Sequence, residues 1–386
     1  MSRFFLFFAY LPFLLFSQND QANARKAIKQ LTSKKFAGRG YVNDGCNKAA
    51  NFIAGHFKEK KLNTFIPNTF FQPFSISVNT FPGKIDVSIN NKKLIPGIHY
   101  LISPESSCSK GKYSLIKQDS VTYFATDNLK KTINIKKVKK LTWGVSTKSE
   151  NHLSINLLSD SIKQEIETIS VNVENKFIND YQLKNVCGFI KGKLYPDSFI
   201  VFTAHYDHLG KMGKKTFFPG ANDNASGVSM LFSLIDYFLG NQPDLSVAFI
   251  CFAAEEAGLL GSGYFSEYPL FPLNKINFLI NLDLLGTGNE GITVVNATEF
   301  KNEFEQLKEI NEKMNLLKSI KPRGKAANSD HYWFTEKGVP SFFIYTLGGI
   351  AAYHDVFDIE KTLPLTEFKD VKKLLIEFAH YRMEKN

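Results

Sequence analysis

Phe199-Ile-Val-Phe-Thr-Ala204 runs directly into His205-Tyr-Asp-His-Leu-Gly210, and Leu245-Ser-Val-Ala-Phe-Ile-Cys-Phe252 runs into Ala253-Ala-Glu255-Glu256. Two short apolar runs, each closed by polar residues, read as buried strands rather than helices. Between them the apolar spacing from Asp223 to Phe238, stopped by Gly240, predicts a helix. Strand, loop, helix and strand in that order imply an α/β fold.

Working outward from this core, the chain reads as a helix at Gly258–Tyr268, a strand at Ile276–Asp283 and a polar helix around Glu299–Asn315. A strand at Ser341–Thr346 and an amphipathic helix at Leu365–Arg382 complete it. Upstream, from about Phe81 to Lys184, short β-type runs such as Lys84–Asn90 alternate with turn pairs Asn90-Asn91 and Pro96-Gly97. From Asn23 to about Lys61 the pattern is helical, with Ala49, Ala50, Ile53, Ala54 and Phe57 on one face. The division expected is residues 1–17 as a leader, 18–80 as a helical lead packed on the core, 81–184 as a β-rich insertion of unassigned role, and 185–386 as the α/β domain that carries these polar-ended strands.

The leader reading rests on a positive start at Met1-Ser2-Arg3 and an apolar run Phe4–Phe16, followed by Ser17 as a small residue for cleavage. About a dozen apolar residues are too few to span a bilayer. A signal peptide, export to the periplasm or medium, and no stable membrane insertion are expected. Four cysteines in 386 residues are no disulfide framework, and a Cys46–Cys108 bridge stays open. The net charge of +10 is densest at Lys130, Lys131, Lys136, Lys137, Lys139 and Lys140. These lysines alternate with Ile133, Ile135 and Val138 as on an exposed strand, and no aromatic platform interleaves them, so a nucleic-acid partner is not expected.

In open α/β sheets functional groups gather at the carboxyl ends of strands. His205, Asp207, Glu255, Glu256 and Asp283 all stand there, Asp223 opens the intervening helix, and His354 is available from a later loop. Singly, each has a bland reading as a core histidine, an N-cap or a strand-end cap. Together, so many carboxylates would repel one another without a cation. Zinc accepts nitrogen and oxygen ligands, and two zincs about 3.5–4 Å apart can share one bridging carboxylate.

The ordered stretches Ala204–Gly210, Gly220-Ala-Asn-Asp-Asn-Ala-Ser-Gly227, Phe252-Ala-Ala-Glu-Glu-Ala-Gly-Leu-Leu-Gly-Ser262, Asn281-Leu-Asp-Leu-Leu-Gly286, Ser329-Asp-His331 and Tyr353-His354 resemble the motifs of zinc metallopeptidase family twenty-eight (clan MH), of the bacterial secreted aminopeptidase type. Leu31-Thr-Ser with Gly38-Arg39, and Gln72-Pro-Phe74, are similar to that family's N-terminal lead.

The resemblance implies a mixed central sheet flanked by helices, the zinc exopeptidase (phosphorylase/hydrolase-like) fold, here with the β-rich insertion. It implies two Zn2+ per chain, one on His205 and Asp283, the other on Glu256 and His354, bridged by Asp223. Glu255 would be the general base, and Tyr353 would stabilise the oxyanion. Asp207 and Asp330 would orient His205 and His354 respectively, while His208 and His331 read as structural. Asp355-Val356, where relatives often carry Thr-Pro, puts an extra acid beside the motif.

The activity implied is hydrolysis of N-terminal peptide bonds of a peptide substrate. Glutaminyl cyclisation on a single zinc is an alternative, though Asp223–Gly227 and Glu255–Leu259 look more like peptidases. Carboxypeptidase or dipeptidase activity is another, with Arg323 or a lysine gripping a substrate carboxylate. A non-catalytic binding module would show replaced ligands or a replaced base, and none is replaced. Nothing in the sequence sets an oligomeric state.

Overall fold

The computed structural model describes residues 11–126, 132–162 and 164–385. Residues 1–10 of the expected leader, and Lys130 and Lys131 of the lysine cluster, lie outside the described residues. Among the described residues no helix is long and apolar enough to cross a membrane.

Eight strands form the central sheet: β1 (Phe71–Thr80), β2 (Lys176–Ile190), β3 (Tyr195–His205), β4 (Leu245–Phe252), β5 (Ile276–Leu282), β6 (Ile292–Val295), β7 (Ile320–Arg323) and β8 (Ser341–Thr346). Their spatial order is β1-β2-β4-β3-β5-β8-β6-β7. The four middle strands β4, β3, β5 and β8 run parallel, while β1, β2 and β6 meet their inner neighbours antiparallel. The sheet is therefore mixed, and the carboxyl ends of its middle strands share one edge.

Both faces of this sheet are covered, which explains the unbroken apolar runs. Along β3, Ile200, Phe202 and Ala204 join a cluster that includes α1 (Leu11–Leu31), α2 (Gly45–Glu59), α3 (Gly227–Gly240) and α7 (Phe368–Glu384). The alternate residues Phe199 and Val201 join Phe265 of α4 (Leu260–Glu267) and Phe334 of α6 (His331–Glu336) on the opposite face. The remaining helix, α5 (Lys301–Met314), packs against α7. Phe202 is wholly buried, and its truncation to alanine would cost about 3–5 kcal/mol.

Two expected boundaries move. The helical lead does not extend to residue 80, because Phe71–Thr80 alternates buried and exposed residues and becomes β1. The insertion does not extend to 184, because Lys176–Lys184 pair with β1 in register. Its own sheets lie between Ile85 and Val173, one of four strands and one of five. Cys46 is buried and Cys108 exposed, and no disulfide joins them.

The insertion shares its core with the catalytic half. Leu209, Met212 and Phe218, from the loop and hairpin that follow β3, belong to the same cluster as Val87, Ile133, Ile155 and Trp143. On the other side, the Leu31–Arg39 lead meets this hairpin at glycines. A β-carbon on Gly40 would stand 2.5 Å from the Gly210 Cα, so neither backbone could approach if that position carried a side chain.

Candidate metal centre

His205 closes β3, Glu255 and Glu256 follow β4, and Asp283 follows β5, so three neighbouring strand ends deliver four functional groups to one edge. Asp223 comes from the irregular helical turn Ala221–Ser226 ahead of α3, where the Asp223–Asn224 peptide is cis. His354 comes from the loop after β8. Ala254 (φ +57°), Leu284 (φ +55°) and His354 (φ +53°) all hold left-handed backbone conformations around the site, strain of the kind that gathers where function requires it.

The groups converge on Asp223. His205 Nε2 lies 3.3 Å from Asp223 Oδ1 and 3.3 Å from Asp283 Oδ2. His354 Nε2 lies 3.1 Å from the other oxygen, Asp223 Oδ2, and 3.3 Å from Glu256 Oε2. Glu255 Oε2 stands further out, 4.0 Å from His205 Nε2. The buried His205 Nε2 and Asp283 Oδ1 have no hydrogen-bond partner. Unpaired buried polar atoms are costly, and a cation between them would satisfy both.

His205, Asp223 and Asp283 offer ligand atoms within 4.8 Å of one another, as do His208, Asp223 and Glu256. His208 therefore sits closer to the chemistry than its structural reading implied, yet its geometry differs from that of His354. Its Nδ1 lies 2.7 Å from Glu256 Oε1, while burial and the nearby Arg39 and His354 charges hold the ring neutral. A neutral ring donating Nδ1–H to Glu256 orients that carboxylate. His354 instead has its Nδ1 on the Trp143 carbonyl at 3.0 Å, which leaves Nε2 facing Asp223 and Glu256.

The electrostatics describe a cluster in need of positive charge. Burial pushes the Glu255 carboxyl well up, opposed by His205 and reinforced by Glu256, Asp330 and Asp283. Burial and Asp223 lift Glu256 to about 8. Burial would lower His354, but the Asp223 hydrogen bond and Glu256 hold it at about 9. His205 is likewise held up by Asp283 and Glu255 against its burial. In this arrangement the imidazoles carry the protons that neutralise the acids, a role a divalent cation takes over when it binds.

Asp207 is fully buried and accepts the backbone N–H of Glu255 at 3.1 Å and of Glu256 at 3.4 Å, with its Oδ1 3.9 Å from His205 Nδ1. The His205 Nδ1 meets the Asp207 main-chain carbonyl at 3.3 Å, so Asp207 positions the start of the Glu-Glu turn by its carboxylate and the β3 histidine by its backbone. The expected pairing of Asp330 with His354 is not found. Asp330 is buried beside Ser262 and feels His205, Asp207 and Asp283. His354 takes a main-chain carbonyl from the insertion because the loop that carries it packs there. His331 lies against Phe343, ring centres 5.4 Å apart, away from the cluster. Tyr353 stacks on His354 at 4.0 Å. Asp355 caps its own loop, accepting the N–H groups of Tyr353 and Phe357, with Lys140 at 3.7 Å.

An open cavity of about 520 Å³ adjoins the cluster, with Glu255, Leu259, Phe343, Tyr345, Arg323 and Tyr353 among its walls. The family model described as Peptidase family M28 matches residues 185–379, just over half of the chain. The chain belongs to peptidase family M28. Aminopeptidase YwaD of Bacillus subtilis is 28% identical over 251 residues, 60% of this chain and 53% of YwaD. The chain thus spans about half the length of that relative. The structure of BSAP, a zinc aminopeptidase from Bacillus subtilis, matches 93% of this chain and 94% of its own with a TM-score of 0.69 at 19% identity. A glutaminyl cyclase from an Acidobacteriales bacterium shares the fold with a TM-score of 0.56 at 15% identity, over 95% of this chain and 96% of its own.

Two supports of this M28 site carry no role in the sequence reading. Arg39 is fully buried and donates to the carbonyls of Tyr206, Pro219, Gly220 and Asp223, tying the His205 and Asp223 loops together. Asp358, also fully buried, accepts the N–H groups of Asn222 and Asp223. Gly-Arg in the lead was visible as a motif, but its target 167 residues away was not. Asp358, four residues after His354, gave no periodic or motif signal. Gly220 (φ +61°) packs between these supports, since a β-carbon there would meet the Asp223 carbonyl at 2.2 Å.

Proposed function

We propose that this M28 chain is a zinc-dependent exopeptidase that releases residues from the amino terminus of peptides, with two zincs per molecule. The observation that carries the reading is the split of Asp223: one oxygen faces His205 with Asp283, the other faces His354 with Glu256. Such a bridging carboxylate suits a pair of metals. The names of YwaD and BSAP support the same activity.

Bound zinc supplies a Lewis acid for the scissile carbonyl and acidifies a water. Glu255 is the general base: its Oε2 takes a proton from the attacking water and passes it to the nitrogen of the departing peptide. Asp207 holds that glutamate by its backbone N–H and, through its own main-chain carbonyl, keeps His205 in one orientation. Tyr353, stacked on His354 at the cavity wall, donates its O–H to the developing oxyanion. Export belongs to the same proposal, and amino-terminal sequencing of the mature protein should read from just after Ser17.

The test is metal analysis of wild type and Glu255→Gln with cleavage of peptides bearing free and blocked amino termini. About two zincs in both proteins, cleavage of the free-amine peptide alone, and a 10²–10⁴-fold loss in the variant are expected. One zinc with pyroglutamate release would replace the reading by a cyclase. Absence of bound metal would leave a binding module.

A further inference from the structure

We propose that Arg323 determines substrate specificity by selecting peptides whose amino-terminal residue is acidic. This rests on the exopeptidase reading above and assigns the substrate class that it leaves open.

Arg323 ends β7 at the far side of the sheet, yet it lines the same cavity as Glu255, Asp283 and His354. The register explains how. Asn281 of β5 pairs with Phe343 of β8, Phe343 with Val295 of β6, and Val295 with Arg323. These residues form one lateral row, so their side chains share a face, and three strand spacings, about 14 Å, separate Arg323 from Asn281. Asp283 lies two residues beyond Asn281. The guanidinium turns back along this row, with Nη1 3.3 Å from the Tyr345 hydroxyl, two residues on from Phe343.

Among the described residues no carboxylate lies within ion-pair distance of Arg323. Lys325 is paired with Glu336 and Lys337 with Glu267, whereas Arg323, which faces the cavity, has no acidic partner among the described residues. The carboxylates in the cavity wall, Asp223, Glu255, Glu256 and Asp283, all belong to the metal cluster. Phe343 stands in the row between Asn281 and Arg323, and Leu259 and Leu284 add apolar surface to the cavity wall. The Tyr345 hydroxyl stands beside Arg323, and Asn328 also lines the cavity.

Such a cavity offers apolar wall from Leu259, Leu284 and Phe343, a positive hydrogen-bonding group at Arg323, and the metal cluster three strands away. A glutamate or aspartate side chain matches it: its methylene stem lies on Phe343 and Leu284, and its carboxylate meets the planar Arg323 fork, which suits bidentate recognition. A lysine at the same place would put like charge against Arg323, and glutamine would keep the shape without the charge.

The decisive comparison uses zinc-loaded protein and aminoacyl-coumarylamides of glutamate, glutamine, leucine and lysine, with wild type, Arg323→Met and Arg323→Lys. Wild type should prefer glutamate over glutamine by about tenfold in kcat/KM, the yield of one charge-assisted hydrogen bond to the exposed Arg323 once substrate covers it. Arg323→Met should bring that ratio near one, chiefly by lowering kcat/KM for glutamate, and Arg323→Lys should restore part of it. A wild-type ratio near one, or a ratio unchanged in Arg323→Met, overturns the proposal.

Calorimetry with free glutamate and glutamine separates this assignment from the parent reading. Glutamate binding that depends on Arg323, with no amide cleaved, removes the exopeptidase and keeps the site. A third arm compares Leu-Gly with Leu-glycinamide. Arg323-dependent preference for the free carboxylate, without glutamate preference, assigns the arginine to the far end of a dipeptide and overturns the proposal.

Discussion

The segment from Lys176 onward supplies the carboxylates and histidines of the cluster from strand ends and loops, each by its side chain. The insertion between Ile85 and Val173 supplies none of them, yet the Trp143 carbonyl orients His354, the Trp143 N–H returns to the His354 carbonyl at 2.9 Å, and Lys140 reaches the Ala351 carbonyl at 2.7 Å. The difference separates two ways of contributing to a site. One region gives ligand chemistry, which requires particular side chains. The other gives position, which requires only a backbone group held firmly in place.

That contrast can be broken at several points. The largest effect is expected at the shared carboxylate: Asp223→Ala should lose both zincs, whereas His354→Ala should lose one, as read by elemental analysis after gel filtration. Retention of a full metal pair in Asp223→Ala would deny the bridging role.

Trp143→Ala removes a buried ring that stacks on Phe218 at 4.7 Å and donates Nε1–H to the Ile102 carbonyl at 2.7 Å. It should cost about 3–5 kcal/mol in urea unfolding. The main-chain carbonyl on His354 remains, but without the ring that anchors it zinc on the His354 side should weaken, by up to the roughly 10–100-fold seen when a group orienting a histidine ligand is lost. Unchanged zinc affinity in folded protein would reduce the insertion to packing.

Metal-free protein should lose stability as pH rises from about 4.5 to about 8. The folded value for Glu256, about 8, lies above its unfolded value of 4.5, so the folded state binds more protons across that window and raising pH favours unfolding. Glu255 and Asp283 are shifted in the same direction. Zinc should flatten the profile, since the cation replaces those protons. Urea midpoints of chelated and zinc-loaded protein at several pH values check this. A flat chelated profile would place the limiting stability elsewhere, for instance in the insertion.

The smallest effect belongs to Lys140→Ala. Lys140 is half exposed and 3.7 Å from Asp355, so its loss should change stability by less than about 1 kcal/mol. A large loss of zinc affinity in this variant would promote that contact from trimming the loop to holding it.

The sequence by itself determined the elements and their chemistry. The strands ending at His205 and ahead of Glu255 and Asp283 are apolar runs buried on both faces, and hydrophobic spacing reports such burial directly. Acid residues and histidines at those ends follow from the side-chain chemistry that a divalent cation requires. Tertiary structure alone decided what joins them. Phe71–Thr80 became a strand because Lys176–Ile190 offers it a ladder, a long-range partner that local pattern does not encode. Arg39, Asp358 and Trp143 act on backbone atoms far along the chain, and a main-chain carbonyl is the same in every residue. His354 therefore found a carbonyl where the motif suggested Asp330, because packing of the insertion, rather than residue type, sets which acceptor faces its ring.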